Sequence, residues 1–255
     1  MDQWFRKIAS EYHLCDEVAQ QLRDVGYVVI KELVAEDRCA DLAASYDTAV
    51  RNADPDDVSI KSSTRVSDFV NRGPAFDDLY LYGPLLAACC EVIGEPFKLS
   101  TMRARTLNPG TSTEVLHVDF PRDSERWPMV GFIIMIDEFN RNNGATRFVP
   151  GSHLAANVPA EVMNDTTSVY QGEELACGPA GSVIIYNGSI WHGWTANRSD
   201  KPRRSIQGAF IRRTAESGAN LPARMRPETL GRISDLAKYL LALETECSQA
   251  AVLRQ

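Results

Sequence analysis

Long hydrophobic runs are missing from this sequence of 255 residues. Its longest apolar stretch, VGFIIMI at 130–136, has the length of a strand, whereas a membrane-spanning helix needs about 20 apolar residues. The N-terminal segment has no apolar core of the kind found in signal peptides. We therefore expect a cytoplasmic protein that has no membrane partner.

An excess of positive charge is also missing. The chain has 27 Lys and Arg against 34 Asp and Glu, for a net charge of −7. Nucleic-acid recognition uses a basic surface, and the one basic run here, RSDKPRR at 198–204, is short enough to be an ordinary solvated face. We expect a small-molecule partner and no nucleic acid, and the sequence gives no indication of oligomeric state.

The six cysteines have neither a CxxC pair nor any other spacing typical of a metal site. Two of them, Cys89 and Cys90, lie inside an apolar helical run. This usage indicates reduced, mostly buried thiols, as in cytoplasmic proteins.

Length and pattern favour a single domain over residues 1–255. Residues 1–96 are largely helical, with helices predicted within 3–24, 35–53 and 83–96 and a strand at 27–33. Residues 54–80 have no strong period and could be a mobile segment or a lid. From 97 to 213, short apolar runs alternate with turn residues, and a helix is predicted at 227–253. The predicted fold class is α+β, with an antiparallel barrel or jelly roll flanked by helices.

The stretch EVLHVDF at 114–120 is predicted to be a strand with an unusual polar face. Side chains alternate along a strand, so His117 and Asp119 share one face with about 7 Å between their Cα atoms. An HxD pair can arise by chance, and by itself it is as consistent with a surface ion pair as with a ligand pair.

A third candidate ligand is His192, in SVIIYNGSIWHGW, just after an apolar strand. Of the other histidines, His13 lies in a predicted helix and His153 follows the turn PGS. A barrel can bring His192 opposite the HxD pair. Two histidines and one carboxylate with open positions form the facial triad of non-heme Fe(II) oxygenases. Zinc is the competing metal, since the same ligand types make catalytic zinc sites.

The strand KPRRSIQGAF at 201–210 bears on this choice. In it Arg203 and Ser205 share one face and Arg204 takes the other. A guanidinium with a hydroxyl beside it can hold the distal carboxylate of a dicarboxylate. Iron with 2-oxoglutarate needs such a clamp, whereas a zinc hydrolase does not.

Together, HVD, NNGATRFVPGSH and YNGSIWHGWTANRSDKPRRS resemble the phytanoyl-CoA dioxygenase family of Fe(II)- and 2-oxoglutarate-dependent oxygenases. The resemblance spans roughly residues 20–213 and implies a double-stranded β-helix (cupin-like) core. It implies His117, Asp119 and His192 as iron ligands, Arg203 as the partner of the 2-oxoglutarate C5 carboxylate, and Ser205 beside it. Met102 matches a methionine that lines the cosubstrate pocket in some members.

The resemblance implies oxidation of a small organic molecule with O₂ and release of succinate and CO₂. Hydroxylation is the default outcome, and desaturation, epimerisation and ring closure remain open. Asp119 occupies the place that a halide takes in related halogenases, so chlorination is not expected. An acyl-CoA, an amino-acid derivative and a natural-product intermediate are candidate substrates. Two other readings stay open: a metal-dependent hydrolase or isomerase on a cupin-like barrel, and a non-catalytic relic that binds a ligand.

Overall fold

The computed structural model of the protein describes residues 2–123 and 126–243. Its α-helices are α1 (Gln3–Glu11), α2 (Asp16–Asp24), α3 (Glu36–Arg51), α4 (Gly83–Val92), α5 (Pro159–Val162), α6 (Leu221–Arg224), α7 (Pro227–Arg232) and α8 (Asp235–Leu240). Its strands are β1 (Tyr27–Ile30), β2 (Val58–Ile60), β3 (Thr64–Val66), β4 (Phe97–Leu107), β5 (Met129–Met135), β6 (Thr146–Phe148), β7 (Glu174–Ala176), β8 (Val183–Asn187), β9 (His192–Trp194) and β10 (Arg203–Arg212).

The strands form two antiparallel sheets. The large sheet has the order β1-β8-β5-β10-β4-β3-β2, and the small sheet has the order β7-β6-β9. Single bridges, among them the one between His117 and His192, extend the small sheet. A cavity is lined by residues of both sheets, so the mixed α+β class with a cupin-like core is confirmed.

Helices cover the outer face of the large sheet. Every residue of β5 and of β8 is buried, because helices pack on one face and the cavity side lies on the other. The N-terminal helical stretch is divided in two: Asp2 caps α1, Tyr12 ends it in an extended conformation, and Asp16 starts α2. Gly94, with φ of +67°, follows α4 and allows the chain to turn into β4.

Residues 54–80 are more structured than their pattern predicts. They form the β2–β3 hairpin and four short 3₁₀ helices, the last of which ends at Leu81, with Phe69 and Phe76 buried in the core. Asp57 pairs with both Arg72 and Arg224, which ties the segment to α6. None of these residues, all of which the structure describes, lines the cavity, so the suggestion of a lid gains no support.

The single C-terminal helix predicted at 227–253 is wrong over its described part. Ile233 adopts an extended conformation, and Ser234 then caps a new helix, so α7 and α8 are separate. The rest of the predicted helix lies outside the described residues. Over the parts of the chain that the structure covers, no helix is both long enough and apolar enough to cross a bilayer.

Candidate metal and cosubstrate site

Three side chains converge at one end of the cavity. The candidate ligand atoms of His117, Asp119 and His192 all lie within 4.8 Å of one another. The two histidine backbones bond to each other in both directions at 3.0 Å, which brings the HxD segment beside the first residue of β9. The Nε2 atoms of His117 and His192 lie 3.6 and 3.4 Å from the Asp119 carboxylate oxygens.

The predicted strand at 114–120 is wrong, although its two polar residues meet as expected. Only His117 makes a strand-like bridge, and the chain bends at Asp119 and Phe120. The bend arises because both of these backbone N–H groups donate to the same carbonyl, that of Gly188, at 3.0 Å. A strand would direct successive N–H groups to opposite sides.

Both imidazoles are oriented by the backbone. The Nδ1 atom of His117 lies 3.1 Å from the Val115 carbonyl, and that of His192 lies 2.9 Å from the Ile190 carbonyl. A carbonyl only accepts, so each Nδ1 carries a proton, and each Nε2, which faces Asp119, is the nitrogen whose lone pair a bound metal would take. This is the tautomer that a metal ligand requires.

The electrostatics of the three groups also suit a cation. Partial burial opposes ionisation of Asp119, but the two histidines hold the pKa of its carboxyl well below the usual range. Burial lowers the pKa of His117, and Asp119 together with Glu114 more than offsets this, so its pKa is raised. Without a metal the site therefore favours a proton between the groups, and a divalent cation would displace that proton.

The far end of the cavity holds a buried cation. Arg203 is 1% exposed, donates to the Gly144 carbonyl at 2.9 Å and to the Ser205 hydroxyl at 3.3 Å, and lies over the ring of Phe139. It has no carboxylate partner among the described residues, and its Nε has no hydrogen-bond partner there. Burial lowers its pKa. A buried charge without a counter-charge is costly, so this end of the cavity fits an anionic ligand.

Met102 is not part of this cavity. On β4, Thr101, Arg103 and Arg105 line the cavity, so the alternating Met102 faces the helices, where it is 2% exposed in the main core. The structure therefore corrects the assignment of Met102 to the cosubstrate pocket. The methionine lies on the correct strand but on its opposite face.

Several further residues line the cavity: the sequence leaves Arg103 and Arg105 open between contacts to an acidic substrate and surface charges, and it does not indicate Tyr186. Arg105 pairs with Glu114 at 3.8 Å, and the half-buried Arg103 has no carboxylate partner in the described chain. Tyr186, on β8, donates from its hydroxyl to Oδ2 of Asp119 at 2.7 Å. Burial and Asp119 raise the pKa of Tyr186 well above the usual value, so the hydroxyl stays a donor. The only sequence signal is a tyrosine six positions before His192, directly after the apolar run at 183–185.

Arg147 and His153 have structural roles. Arg147 donates to the carbonyls of Glu114, Thr166 and Ser168 and to the carboxylate of Glu173, each at 2.8–3.0 Å. It therefore braces the segment before His117 and does not reach the cavity. The His153 ring is buried beneath Gly26 and forms a hydrogen bond with the Arg23 carbonyl at 2.8 Å. It does not line the cavity and is not placed to bind a metal there.

Solved structures with this architecture include several non-heme, α-ketoglutarate-dependent enzymes. The carbocyclase SnoK from nogalamycin biosynthesis, described as non-heme and α-ketoglutarate-dependent, superposes with a TM-score of 0.64 at 18% identity, covering 80% of this chain and 85% of its own. HygX from Streptomyces hygroscopicus, with nickel, 2-oxoglutarate and hygromycin B bound, gives 0.66 at 16% identity, covering 80% and 90%. The fold is thus one that iron- and 2-oxoglutarate-dependent enzymes use, and the triad described above lies in it.

Sequence comparison defines the family. The model of the phytanoyl-CoA dioxygenase (PhyH) family matches residues 22–205, and the chain belongs to this family of dioxygenases. Dioxygenase trt7 of Aspergillus terreus (strain NIH 2624 / FGSC A1156) is 26% identical over 216 residues, covering 76% of this chain and 72% of its own. Dioxygenase andF of Emericella variicolor is 26% identical over 257 residues, covering 90% and 85%.

Proposed function

We propose that this dioxygenase holds Fe(II) through His117, Asp119 and His192 and binds 2-oxoglutarate with its distal carboxylate at Arg203 and Ser205. The observation that carries the proposal is the pairing, in one cavity of about 300 Å³, of a His₂Asp triad with a buried arginine that has no carboxylate partner among the described residues. When bound, the iron and 2-oxoglutarate supply O₂ activation and oxidation of a substrate C–H bond, releasing succinate and CO₂.

The protein's own residues do the positioning. The carbonyls of Val115 and Ile190 hold the two imidazoles in one tautomer, and Arg203 at the closed end fixes the length and direction of a dicarboxylate. Asp119 fills the third ligand position, so no vacant place is left for a halide, and oxygenation is favoured over chlorination. Hydroxylation is the default, with desaturation, epimerisation and cyclisation as the open alternatives.

The cavity supports a small amphipathic organic substrate. Its lining includes an apolar cluster of Phe120, Met129, Ala209 and Ile211, with polar residues such as Thr101 beside it. The guanidinium of Arg103, which has no carboxylate partner among the described residues, favours an anionic group on a bound ligand. Structures sharing the fold act in nogalamycin biosynthesis or bind hygromycin B, which favours a natural-product intermediate over an acyl-CoA. The five cysteines in the described residues are unpaired, which supports a cytoplasmic location.

The test begins with protein purified without oxygen. Adding Fe(II) and then 2-oxoglutarate is expected to produce the weak visible metal-to-ligand charge-transfer band, and a chelator should remove it. Zn(II)-loaded protein, whose metal has no such transition, is the matched control. Admitting O₂ should then give succinate. A folded, iron-loaded protein without the band would favour the hydrolase or isomerase reading, and a band that never gives succinate, with or without substrate candidates, would favour the relic.

A further inference from the structure

One tyrosine reaches the metal-binding end of the cavity. Tyr186 is 6% exposed, and its ring packs against His192 and Phe148 with centroid distances of 4.8 and 5.6 Å. Its hydroxyl donates to Oδ2 of Asp119 at 2.7 Å. A buried hydroxyl that donates to a carboxylate forms a strong, charge-assisted hydrogen bond.

Asp119 needs such a partner more than the two histidines do. Each imidazole is oriented by its own carbonyl, so its direction is set before any metal arrives. The backbone of Asp119 is fixed through the Gly188 carbonyl, but this bond leaves the carboxylate free to rotate. Among the described residues, the carboxylate contacts only His117, His192 and Tyr186. With a metal bound, the histidine Nε2 atoms are committed to it, and Tyr186 is the partner that remains.

The neighbouring strand is shaped to admit the tyrosine ring. Gly131 on β5 is the register partner of Tyr186 on β8. A Cβ at Gly131 would lie 2.1 Å from Cζ of the ring and 2.5 Å from its hydroxyl oxygen. Only a glycine lets the ring lean across β5 towards Asp119, because any side chain there would displace it.

We propose that Tyr186 is a positioning residue that holds Asp119 as a single-oxygen metal ligand. This inference rests on the proposed function. By engaging Oδ2, the hydroxyl directs Oδ1 to the metal and keeps the carboxylate from binding through both oxygens. The coordination positions that a bidentate carboxylate would occupy stay open, and a facial-triad site depends on such open positions for its cosubstrate and O₂.

The test is Tyr186→Phe, which keeps the ring over Gly131 and removes only the hydroxyl. Co(II) is the probe, because its d–d spectrum reports the ligand set and its affinity can be measured without turnover. We expect the Co(II) Kd to rise by about 10- to 100-fold, the range found when a partner of a metal ligand is removed. The d–d bands should change, and 2-oxoglutarate should bind the Co(II)-saturated variant more weakly than the wild type.

Tyr27→Phe is the matched control. Tyr27 is the β1 register partner of Tyr186, is equally buried at 6% and stacks on the same Phe148, but its hydroxyl donates to Glu174. Its Co(II) affinity and spectrum should match those of the wild type. His192→Ala, which removes a ligand, sets the scale for complete loss of the site.

Gly131→Ala provides a second route to the same effect. It should weaken Co(II) binding in the wild type and have little further effect on Co(II) binding in Tyr186→Phe, because the hydroxyl is already gone. Wild-type protein that binds no Co(II) or Fe(II) would overturn the proposed function and this inference with it. Metal binding and spectra that are the same in wild type and Tyr186→Phe would overturn this inference alone.

Discussion

Replacing Arg203 with methionine is expected to weaken 2-oxoglutarate binding by about a hundredfold. The guanidinium is buried without a counter-charge among the described residues, so a carboxylate placed against it would be held by charge-assisted bonds in a water-poor site. Loss of one partner of such a buried pair costs about 3 kcal/mol, or roughly two orders of magnitude in Kd. The measurement is a 2-oxoglutarate titration of Fe(II)-loaded protein without oxygen, followed by the charge-transfer band.

The neighbouring Arg204 provides a matched control. It lies on the opposite face of β10, where it pairs with Asp137 and Asp47, and it does not line the cavity. Arg204→Met should therefore leave the Kd of 2-oxoglutarate unchanged. If Arg203→Met bound 2-oxoglutarate within threefold of the wild type, the carboxylate clamp would have been assigned to the wrong residue.

The same substitution separates a binding role from a structural one. Replacing an uncompensated buried charge with an apolar side chain is often neutral for stability. Loss of the hydrogen bonds to Gly144 and Ser205 lowers the free energy of unfolding by only a small amount. The melting temperature of the ligand-free variant should therefore stay within about 4 °C of that of the wild type. The increase in melting temperature that 2-oxoglutarate gives the wild type should disappear. A ligand-free variant that melted far lower would show that Arg203 serves mainly to hold the barrel together.

The chemistry of the site could be predicted from the sequence more readily than its local backbone. The side chains of Arg203 and Ser205 meet on one face of β10 and Arg204 takes the other, as alternation requires in the regular first part of this strand. The segment carrying His117 and Asp119 is not a regular strand, yet its ligands still converge, because the mutual bridge of His117 and His192 supplies the pairing. That bridge is a long-range contact, which local periodicity does not report.

The sequence does not predict which face of a strand a side chain occupies where the polarity of the residue does not decide it. The family resemblance places Met102 in the pocket. In the structure Arg103 and Arg105 line the cavity, and Met102, which precedes them on the same strand, points to the core. Tyr186 cannot be identified from the sequence for a different reason: β8 is buried on both faces, so it lacks the polar–apolar alternation that would show which side chains enter the cavity. Only the three-dimensional positions of Gly131 and Asp119 identify its role.

Replacing Arg147 with methionine is expected to destabilise the protein by about 3–5 kcal/mol. The side chain is 1% exposed and satisfies three backbone carbonyls together with the carboxylate of Glu173, itself 10% exposed. Methionine has a similar size but no donor, so four partly buried acceptors, one of them charged, would each lose a hydrogen bond. For a chain of this length the loss corresponds to a decrease of about 10 °C in melting temperature, measurable by calorimetry.

Arg38 on α3 is the control, since it is exposed and Arg38→Met should change the unfolding free energy by less than about 0.5 kcal/mol. A decrease of under 3 °C in the melting temperature of Arg147→Met would contradict the structural role assigned to Arg147. The variant should also lose metal affinity below its melting temperature, because the braced segment leads directly into the ligand His117. Arg147 holds the Glu114 carbonyl and the Thr166 carbonyl, and the latter also accepts the Leu116 N–H at 2.8 Å. Leu116 immediately precedes His117, so loosening this anchor would release the first metal ligand from its bridge to β9.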